Sequence, residues 1–551
     1  MLELECFVFG VGHADEGVCL LLQIGPYRVL LDCGLPDLTP LLAAKLLPVH
    51  LVLCSHAHRD HAQGLRQFHH AFPQVPIYAS EITTQLLPLN WSTPDEPPPP
   101  PALPLCQALP WRTPVEFLDG LSATLYPAGH LPGAAAILLT YTSAATPDGD
   151  PRTYQVLYTG DFFLSNTRLV EGFPLEELRG LQPDVLIVEG SFGTARHPHR
   201  RQQENQLAER IQRAIADQKS ILLPTPALGL GQELLMLLRS HHYFTGQDLD
   251  IWVNGLVAAG CDAYLTILPQ LPTSVQNFAR HQPLFWDDRI RPRVRRLTPE
   301  HFAELGTKPC IVLTDETSDL HRYYQDKPKH WVVMLPQRPY SPSTTPADLP
   351  VPVETYLLAQ HCDGPGTTQL IHNIRPQHVI FVHGSEPYLT DLTGLDELHN
   401  RYHLHSPHAG SHVELPIGDT FLQPAAPETI YEGELNELDT LVTVTLPNAI
   451  AADPRWRSLS DTGLIEARWQ GEELVLRGLS QRELLQQHGG DRLLDWMDAN
   501  SPLRSCCGNC RHFRGQRCWN AASPLFELKV TPEGFCPAFE STQVPPRPPS
   551  E

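Results

Sequence analysis

The sequence predicts a layered α/β protein with an inserted α/β domain and a small C-terminal module. Strand-like apolar runs recur between residues 4 and 189, and several of them end in histidine or aspartate. Strands and helices then alternate between residues 194 and 350, which indicates a parallel sheet in a separate domain. Five of the 13 cysteines crowd into residues 506–536. The 551 residues suffice for two or three such domains.

The first region combines eight predicted strands with two predicted helices. The strands cover residues 4–9, 18–24, 27–32, 51–55, 123–127, 135–141, 155–159 and 185–188, and the helices cover 38–46 and 61–71. Residues 93–104 predict an exposed loop, because an unbroken run of prolines suits neither a helix nor a central strand. Residues 146–150 predict a turn.

The inserted domain is predicted from a change of pattern. Its helices cover residues 200–218 and 232–239, and its strands cover 220–224, 251–254, 310–314 and 331–335. A strand at 353–358, a helix at 367–374 and a strand at 378–382 return to the first style. The simplest organisation is one domain (1–193 and 351–425) interrupted by another (194–350). An α+β module (426–500, with a strand at 440–446), a cysteine module (501–540) and a disordered tail (541–551) follow.

Composition and charge limit the classes of function that this protein can have. The net charge of -22 argues against a general nucleic-acid binder, which usually carries a basic surface. Any polyanionic substrate must then be held locally, by metal ions and a few arginines. The N-terminus lacks the basic start of a signal peptide, and no apolar run approaches the ~20 residues of a membrane span. We therefore expect a cytoplasmic protein with no membrane partner.

A metal centre is predicted from one dense motif and three distant residues. His56, His58, Asp60 and His61 follow a strand-like run as His-x-His-x-Asp-His. Imidazole suits zinc, and a carboxylate suits a harder or bridging role. One motif cannot saturate two ions, and each of the remaining candidates also follows a β-rich run, where layered α/β folds place their sites. These candidates are His130, Asp161 and His383.

The seven ligands divide into two sets. We assign His56, His58 and His130 to one ion, and Asp60, His61 and His383 to the other, with Asp161 bridging them. Two ions held in this way generate a nucleophile and stabilise the oxygens of an in-line displacement. Asp32, at another strand end, is expected to orient the histidine loop from behind the ligands.

These motifs resemble those of the metallo-β-lactamase fold and, within it, of the β-CASP nucleases. Glu189-Gly190-Ser191-Phe192-Gly193 resembles the acidic motif A, residues 359–363 (Ala-Gln-His-Cys-Asp) resemble the histidine motif B, and residues 380–386 resemble motif C. Residues 223–235 resemble the strand–turn–helix that ends in Gly-x-x-Gln-Glu-Leu. The resemblance covers about residues 2–422 and includes ribonuclease J and the nuclease of messenger-RNA 3′-end cleavage.

The resemblance implies an αββα sandwich with a β-CASP insertion and a zinc-dependent ribonuclease acting in RNA processing or decay. In that family a hydroxide held by two zinc ions attacks phosphorus and leaves a 5′-phosphate and a 3′-hydroxyl, with Mn²⁺ as an alternative ion. Asp60 and Asp161 would then be the catalytic carboxylates among the ligands, and His361, oriented by Glu189, the general acid. His383 in motif C favours RNA over DNA.

The resemblance also implies a substrate path. Ser191, Ser385 and Arg200 would bind substrate, and single-stranded RNA is the expected partner. Besides Arg200, five arginines at positions 289, 291, 293, 295 and 296 form a second arginine group that also suits an RNA path. A charged face exposed to solvent is the ordinary alternative. A homodimer is left open. Three departures fall in the substrate cleft: Gly190 and Phe192 in motif A, residues 314–318 in place of a Ser-Gly-Gly-Met-like turn, and residues 335–340 before motif B.

The C-terminal cysteines predict a structural zinc site. Cys507, Cys510, Cys518 and Cys536 form a four-thiolate set, with Cys506 as a spare. The region is too short to bury a core of its own and needs such a staple. An iron–sulfur cluster is the second candidate, and disulfides are disfavoured in a cytoplasmic chain.

Two rival functions remain at this point. The same ligands serve metallo-hydrolases of small molecules such as thioesters or lactones. A catalytically inactive scaffold of an RNA-processing complex is the other rival, since the cleft motifs are altered.

Overall fold

The computed structural model describes residues 4–12, 16–43, 49–92, 105–143, 151–324, 327–337 and 349–417, together with short stretches between 434 and 540. The chain divides into two units, Met1–Pro427 and Glu428–Glu551. The predicted loop at 93–104, the predicted turn at 146–150 and the predicted tail at 541–551 lie outside the described residues.

Two mixed seven-stranded sheets form much of the first unit. With strands numbered along the chain, the first sheet contains β1 (Leu4–Val11), β2 (Val18–Ile24), β3 (Tyr27–Leu31), β4 (Leu51–Leu53), β5 (Ile77–Ser80), β6 (Gln107–Leu109) and β20 (His412–Glu414). Its order is β20-β1-β2-β3-β4-β5-β6. Pairing is antiparallel from β20 to β3 and parallel from β3 to β6.

The second sheet repeats this plan. It contains β7 (Val115–Leu118), β8 (Leu121–Pro127), β9 (Ala135–Thr142), β10 (Thr153–Tyr158), β11 (Val185–Glu189), β18 (His378–Val382) and β19 (His403–His405). Its order is β19-β18-β11-β10-β9-β8-β7, antiparallel from β7 to β10 and parallel from β10 to β19.

The two sheets share one apolar core. Alternate residues of β2, Leu20 and Leu22, are buried with Ile137 and Leu139 of β9. The other faces, represented by Leu21 and Leu138, belong to a second core that includes helical residues. Because side chains alternate along a strand, strands such as β2 and β9 supply both cores. These layers are consistent with the predicted αββα sandwich.

A third sheet lies between β11 and β18 in the chain. It contains β12 (Ser220–Thr225), β13 (Asp250–Val253), β14 (Arg293–Arg296), β15 (Cys310–Asp315), β16 (Trp331–Pro336) and β17 (Val353–Tyr356). All six strands are parallel, in the order β14-β13-β15-β12-β16-β17. Strand β17 pairs with β16, so this sheet extends beyond the predicted domain boundary at residue 350.

Helices surround the sheets. In the first and last parts of the unit they are α1 (Thr39–Ala43), α2 (Arg59–Ala62), α3 (Leu65–Ala71), α4 (Glu81–Leu86), α5 (Leu175–Leu178), α11 (Gly364–Ile374), α12 (Glu386–Thr393) and α13 (Asp396–His399). Around the third sheet they are α6 (Arg200–Ala216), α7 (Leu230–Ser240), α8 (Gly255–Thr266), α9 (Thr273–His281) and α10 (His321–Tyr324). Short 3-10 helices occupy Leu87–Trp91, Leu268–Gln270, Pro299–Glu304 and Pro328–His330.

The helix predicted at residues 61–71 is wrong in one respect, because it is broken into α2 and α3. The break falls at Gly64, whose backbone N–H donates to the Cys33 carbonyl over 2.9 Å. The Cys33 N–H in turn donates to the His61 carbonyl over 2.9 Å. A Cβ at Gly64 would lie 2.9 Å from the Cys33 oxygen, so glycine allows this close approach. The break docks the histidine loop against the chain that follows β3.

The second unit contains three two-stranded sheets within its described residues. Glu434–Leu438 pairs with Leu441–Thr445, Ile465–Gln470 with Glu473–Gly478, and Phe513–Arg514 with Arg517–Cys518, all antiparallel. Of the four predicted zinc ligands, Cys510 and Cys518 are buried and not in disulfides, while Cys507 and Cys536 lie outside the described residues. Across the described part of the chain, none of the helices has the length and apolar character of a membrane span.

Candidate metal centre

The seven predicted ligands meet where strands of the two facing sheets end. His56 follows β4, His130 follows β8, and Asp161 follows β10. Asp32 and His383 come directly after β3 and β18 and turn the chain with φ angles of 57° and 53°. Residues other than glycine avoid this left-handed region, because adopting it costs about 1–2 kcal/mol per residue. Strained residues of this kind persist where the surrounding structure holds them, often at functional sites.

The first predicted set forms a tight group. Ligand atoms of His56, His58, His130 and Asp161 all lie within 4.8 Å of one another. His56 Nε2 is 3.4 Å and His130 Nε2 is 3.7 Å from Asp161 Oδ2. Ligand atoms around a tetrahedral zinc ion with bonds of about 2.0–2.1 Å would be about 3.3 Å apart. The observed spacing therefore suits such an ion.

The ring tautomers of this set require a cation. His130 Nδ1 donates to the Gln360 carbonyl over 2.9 Å, and His58 Nε2 donates to the Leu228 carbonyl over 3.3 Å. Burial lowers the pKa of His130, and burial lowers the pKa of His58 to about 3, so both rings are neutral at neutral pH. Their remaining nitrogens are lone-pair acceptors, yet these face each other at 3.0 Å. A bound metal ion satisfies both.

The second predicted set lies on the other side of Asp161. Asp60, His61 and His383 form a group within the same 4.8 Å limit, and His383 Nε2 is 3.0 Å from Asp60 Oδ2. His61 Nε2 is 3.3 Å from Asp161 Oδ1, whereas the first set approaches Oδ2. Asp161 thus presents one oxygen to each set, which is the geometry of a bridging carboxylate.

Among the described residues, four buried atoms at this centre lack hydrogen-bond partners. They are His56 Nε2, His61 Nε2 and both carboxylate oxygens of Asp161. All three residues are at most 1% exposed. An unsatisfied buried polar atom costs about 1–3 kcal/mol, and more when it is charged. The residues present therefore fit a divalent metal pair, which would satisfy all four atoms.

Burial and neighbouring charges give the ligands different protonation states. Burial alone would lower the pKa of His383, but Asp161 and Asp60 outweigh it and raise the pKa to about 10. Burial alone would raise the pKa of Asp161, but His383 and His61 hold it well below its usual range. The carboxylates are therefore ionised at neutral pH. Asp161 and Asp32 also raise the pKa of His61 against the effect of burial, so His61 and His383 would each exchange a proton for a metal ion. Metal binding at the second set should release protons.

Asp32 bonds to the histidine loop, and it does so with partners that the sequence analysis missed. Its Oδ2 accepts from His61 Nδ1 over 2.7 Å, from Ser55 Oγ over 2.7 Å and from the Tyr158 hydroxyl. Its Oδ1 accepts from the Ser55 backbone N–H over 2.6 Å. The bond to His61 Nδ1 leaves Nε2, which faces Asp161, as the nitrogen that would bind a metal ion. Tyr158 ends β10 three residues before Asp161. Its position at this strand end was the sequence signal that could have identified it as a partner of Asp32.

His361 lies beside the second set and is held by a carboxylate. Its Nδ1 is 2.8 Å from Glu189 Oε2, and its ring centroid is 5.5 Å from that of His383. His361 is 14% exposed at its side chain, whereas Glu189 is 1% exposed. Burial alone would lower the pKa of His361, but the ionised Glu189 raises it above the ordinary histidine value. The carboxylate therefore favours the protonated form of His361, whose Nε2 is turned away from Glu189.

Comparison with known proteins identifies the family. Residues 14–214 match the model of the Metallo-beta-lactamase superfamily. The chain belongs to this superfamily. It is 51% identical to the "Uncharacterized protein sll0514" of Synechocystis sp., over 97% of this chain and 96% of that protein.

Two further relatives carry functional names. "Probable RNase MJ4" of Methanocaldococcus jannaschii is 28% identical over 43% of this chain and 56% of its own length. "Cleavage and polyadenylation specificity factor 73" of Drosophila melanogaster is 23% identical over 70% of this chain and 60% of its own length. The match thus spans less than two thirds of either relative. Together with the family model, these relatives confirm the resemblance to the β-CASP nucleases of the metallo-β-lactamase superfamily, at modest identity.

Two of the predicted substrate-binding residues are bonded to other protein groups in the structure. Arg200 has a side chain only 8% exposed, and it pairs with Glu204 and Glu233 instead of facing solvent. Ser191 is 1% exposed and contacts Glu189 and His383. Both side chains bond to other protein groups, and their role in substrate binding stays a prediction. Ser385 is half-buried immediately before α12, and its role stays a prediction.

The second arginine group is neutralised by aspartates. Each arginine lies within ion-pair distance of an aspartate: Arg289–Asp287, Arg291–Asp248, Arg293–Asp250, Arg295–Asp288 and Arg296–Asp262. Most of these aspartates are remote in sequence, which is why the sequence showed only a basic run. A group paired in this way offers little net charge to a phosphate backbone. Its place on an RNA path stays a prediction.

Proposed function

We propose that the protein is a ribonuclease that hydrolyses RNA phosphodiester bonds with two zinc ions and with His361 as the general acid. The observation that carries the proposal is Asp161, whose two buried oxygens face two separate ligand sets and have no hydrogen-bond partner among the described residues. When bound, two divalent cations supply Lewis-acid activation of a water and of phosphoryl oxygens. Mn²⁺ is the alternative ion.

The chain's own residues divide the remaining work. The neutral imidazoles of His56, His58 and His130 and the ionised Asp60 and Asp161 would hold two cations at the bottom of the site. The charge of those cations would attract the phosphate of a substrate even though the chain carries a net charge of -22.

His361 is the residue that distinguishes a phosphodiesterase from a simpler hydrolase. Its Nε2–H can pass a proton to the leaving oxygen, while Glu189 holds Nδ1 and stabilises the cation before transfer. Positioned acids of this kind contribute about 10²–10⁴-fold to rate. Hydrolysis of a thioester or lactone does not require an acid held in this way beside the ligand sets, which disfavours the small-molecule rival.

RNA as the substrate rests on His383 and on the relatives. His383 occupies the motif C position where RNA-directed relatives carry histidine, and two of the similar proteins are named as an RNase and as a cleavage and polyadenylation factor. Single-stranded RNA in the cytoplasm is the expected substrate, in processing or decay.

One experiment tests the function and both rivals. Purified protein loaded with Zn²⁺ or Mn²⁺ is incubated with 5′-labelled single-stranded RNA, with single-stranded DNA, and with thioester and lactone substrates. His58→Ala and His361→Ala are measured beside His70→Ala, which alters an exposed histidine on α3. Metal-dependent RNA cleavage that both site variants lose and His70→Ala retains is the expected result. Turnover of only the small esters, or metal binding with no turnover at all, would reject it.

The C-terminal cysteines are proposed to hold one structural zinc ion. Cys510 and Cys518 are both buried, and neither forms a disulfide. Cys510→Ser should remove one zinc ion per chain, while RNA cleavage continues. Visible absorbance with bound iron and sulfide in the purified protein would instead indicate an iron–sulfur cluster.

A further inference from the structure

Helix α6 of the inserted region holds the chain segment that carries His361. The Ala359 backbone N–H donates to Gln203 Oε1 over 2.8 Å, and the Ala359 carbonyl accepts from Arg200 Nη1. Both backbone polar groups of this residue are therefore bonded to side chains of one helix. Such bonds replace the strand or helix pairing that would otherwise fix a loop.

The next residues of this segment touch the metal centre. The Gln360 carbonyl accepts from His130 Nδ1 over 2.9 Å, and His361 Nδ1 contacts Glu189. The two bonds at Ala359 therefore fix the chain two residues before His361, the proposed general acid.

Arg200 is itself fixed by buried carboxylates. Its Nε is 3.3 Å from Glu204 Oε1, and its Nη2 is 3.4 Å from Glu233 Oε2. Glu233 is 2% exposed and also accepts from the backbone N–H groups of Arg168 and Leu169, over 3.0 and 2.9 Å. These two residues belong to the loop that follows Asp161. One buried carboxylate on α7 thus joins that loop to the guanidinium that holds Ala359.

We propose that Arg200 and Gln203 are positioning residues that hold His361 at the geometry required for proton transfer. This inference rests on the proposed function, in which His361 is the general acid. Arg168 closes the network through a bond from Nη2 to Glu204, so two arginines balance two glutamates in a region largely shielded from water. The charge-assisted bonds to Glu204 and Glu233 restrict the movement of the Arg200 guanidinium. Arg200 and Gln203 contact neither the ligand atoms nor the His361 ring in the described structure, and act only through the backbone.

The test compares two leaving groups. RNA has a poor leaving oxygen that needs a proton, whereas bis(4-nitrophenyl) phosphate has a leaving group that departs without one. The metal-loaded full chain is measured with Arg200→Met, Gln203→Met and His361→Ala. Arg213→Met is the matched control, because Arg213 lies on the same helix with its side chain 69% exposed. Gln203→Met changes no charge, so it tests the proposal even if Arg200→Met fails to fold.

The expected result is a selective loss. Arg200→Met and Gln203→Met should lower kcat for RNA by about 10- to 100-fold, with KM nearly unchanged. Turnover of bis(4-nitrophenyl) phosphate should stay within about twofold of wild type, as for His361→Ala. Arg213→Met should match wild type on both substrates. An equal loss on both substrates would overturn the proposal, because it would mean that the network supports the fold or the metal centre in general.

A crystallographic comparison separates this inference from the proposed function. If the wild-type protein cleaves neither substrate, the proposed function fails, but the position of His361 can still be measured. In a crystal structure of Gln203→Met, Ala359 should shift and the contact between His361 Nδ1 and Glu189 should lengthen. An unmoved His361 in that structure would refute the positioning role.

Discussion

Replacing Asp32 by asparagine should damage both stability and metal affinity. Asp32 is fully buried, and its Oδ2 accepts from three donors: His61 Nδ1, Ser55 Oγ and the Tyr158 hydroxyl. In Asp32→Asn, a donor amide takes the place of that oxygen. The two hydroxyls can rotate their hydrogens to accept, but His61 can adapt only by moving its proton from Nδ1 to Nε2. The ring nitrogen that faces Asp161 at 3.3 Å then loses its lone pair.

The magnitude follows from the bonds that change. A hydrogen bond to a charged group contributes about 1.5–3 kcal/mol, and part of the network survives by hydroxyl rotation, so we expect a loss of roughly 2–4 kcal/mol in the free energy of unfolding. Removing the partner that fixes a ligand's tautomer typically weakens metal binding by about 10- to 100-fold.

Two measurements check this prediction. Urea unfolding of the metal-free protein gives the stability change, and competition with a zinc chelator gives the affinity change. Asp37→Asn is the matched control, because Asp37 is exposed five positions further along and bonds only locally to Thr39. The control should stay within about 0.5 kcal/mol of wild type. If Asp32→Asn keeps wild-type zinc affinity, Asp32 does not set the tautomer of His61, and the reasoning fails.

Three further predictions concern neighbouring features. Tyr158→Phe should lower the free energy of unfolding in urea by about 1–2 kcal/mol, since Asp32 loses one of several donors. Zinc affinity should fall less than in Asp32→Asn, and a larger fall would contradict the prediction. Gly34→Ala should abolish zinc binding or folding, because its Cβ would lie 1.6 Å from the Asp60 carbonyl; a folded variant with full zinc content would disprove the close approach. His405 has its pKa lowered by burial to about 4, so the unfolded chain binds a proton that the folded protein does not. Stability is therefore full above about pH 6.5 and falls as the pH drops towards 4, by about 1–2 kcal/mol after allowance for partial exposure. His405→Gln should remove that part of the acid dependence, and an unchanged urea–pH profile would count against it.

The sequence by itself determined the chemistry of the centre and much of the strand layout. His-x-His-x-Asp-His is a local motif, and its metal preference depends on side-chain type and on spacing along the chain. Strand-end positions also follow from local patterns, since alternation and β-rich runs are short-range signals. For these reasons His56, His58 and His61 could be named together with their distant partners, and the predicted strand at 378–382 has the bounds that the structure shows.

Only the tertiary structure decided which polar side chains are bonded to other protein groups. Arg200 looked like a phosphate ligand in the sequence, but Glu233 and the Ala359 carbonyl, 33 and 159 residues away, occupy its guanidinium. The arginines at 289–296 looked basic until aspartates from other strands and helices neutralised them. The physical reason is the same in each case: charge, burial and tautomer depend on contacts between distant parts of the chain, and periodicity along the sequence contains no record of those contacts.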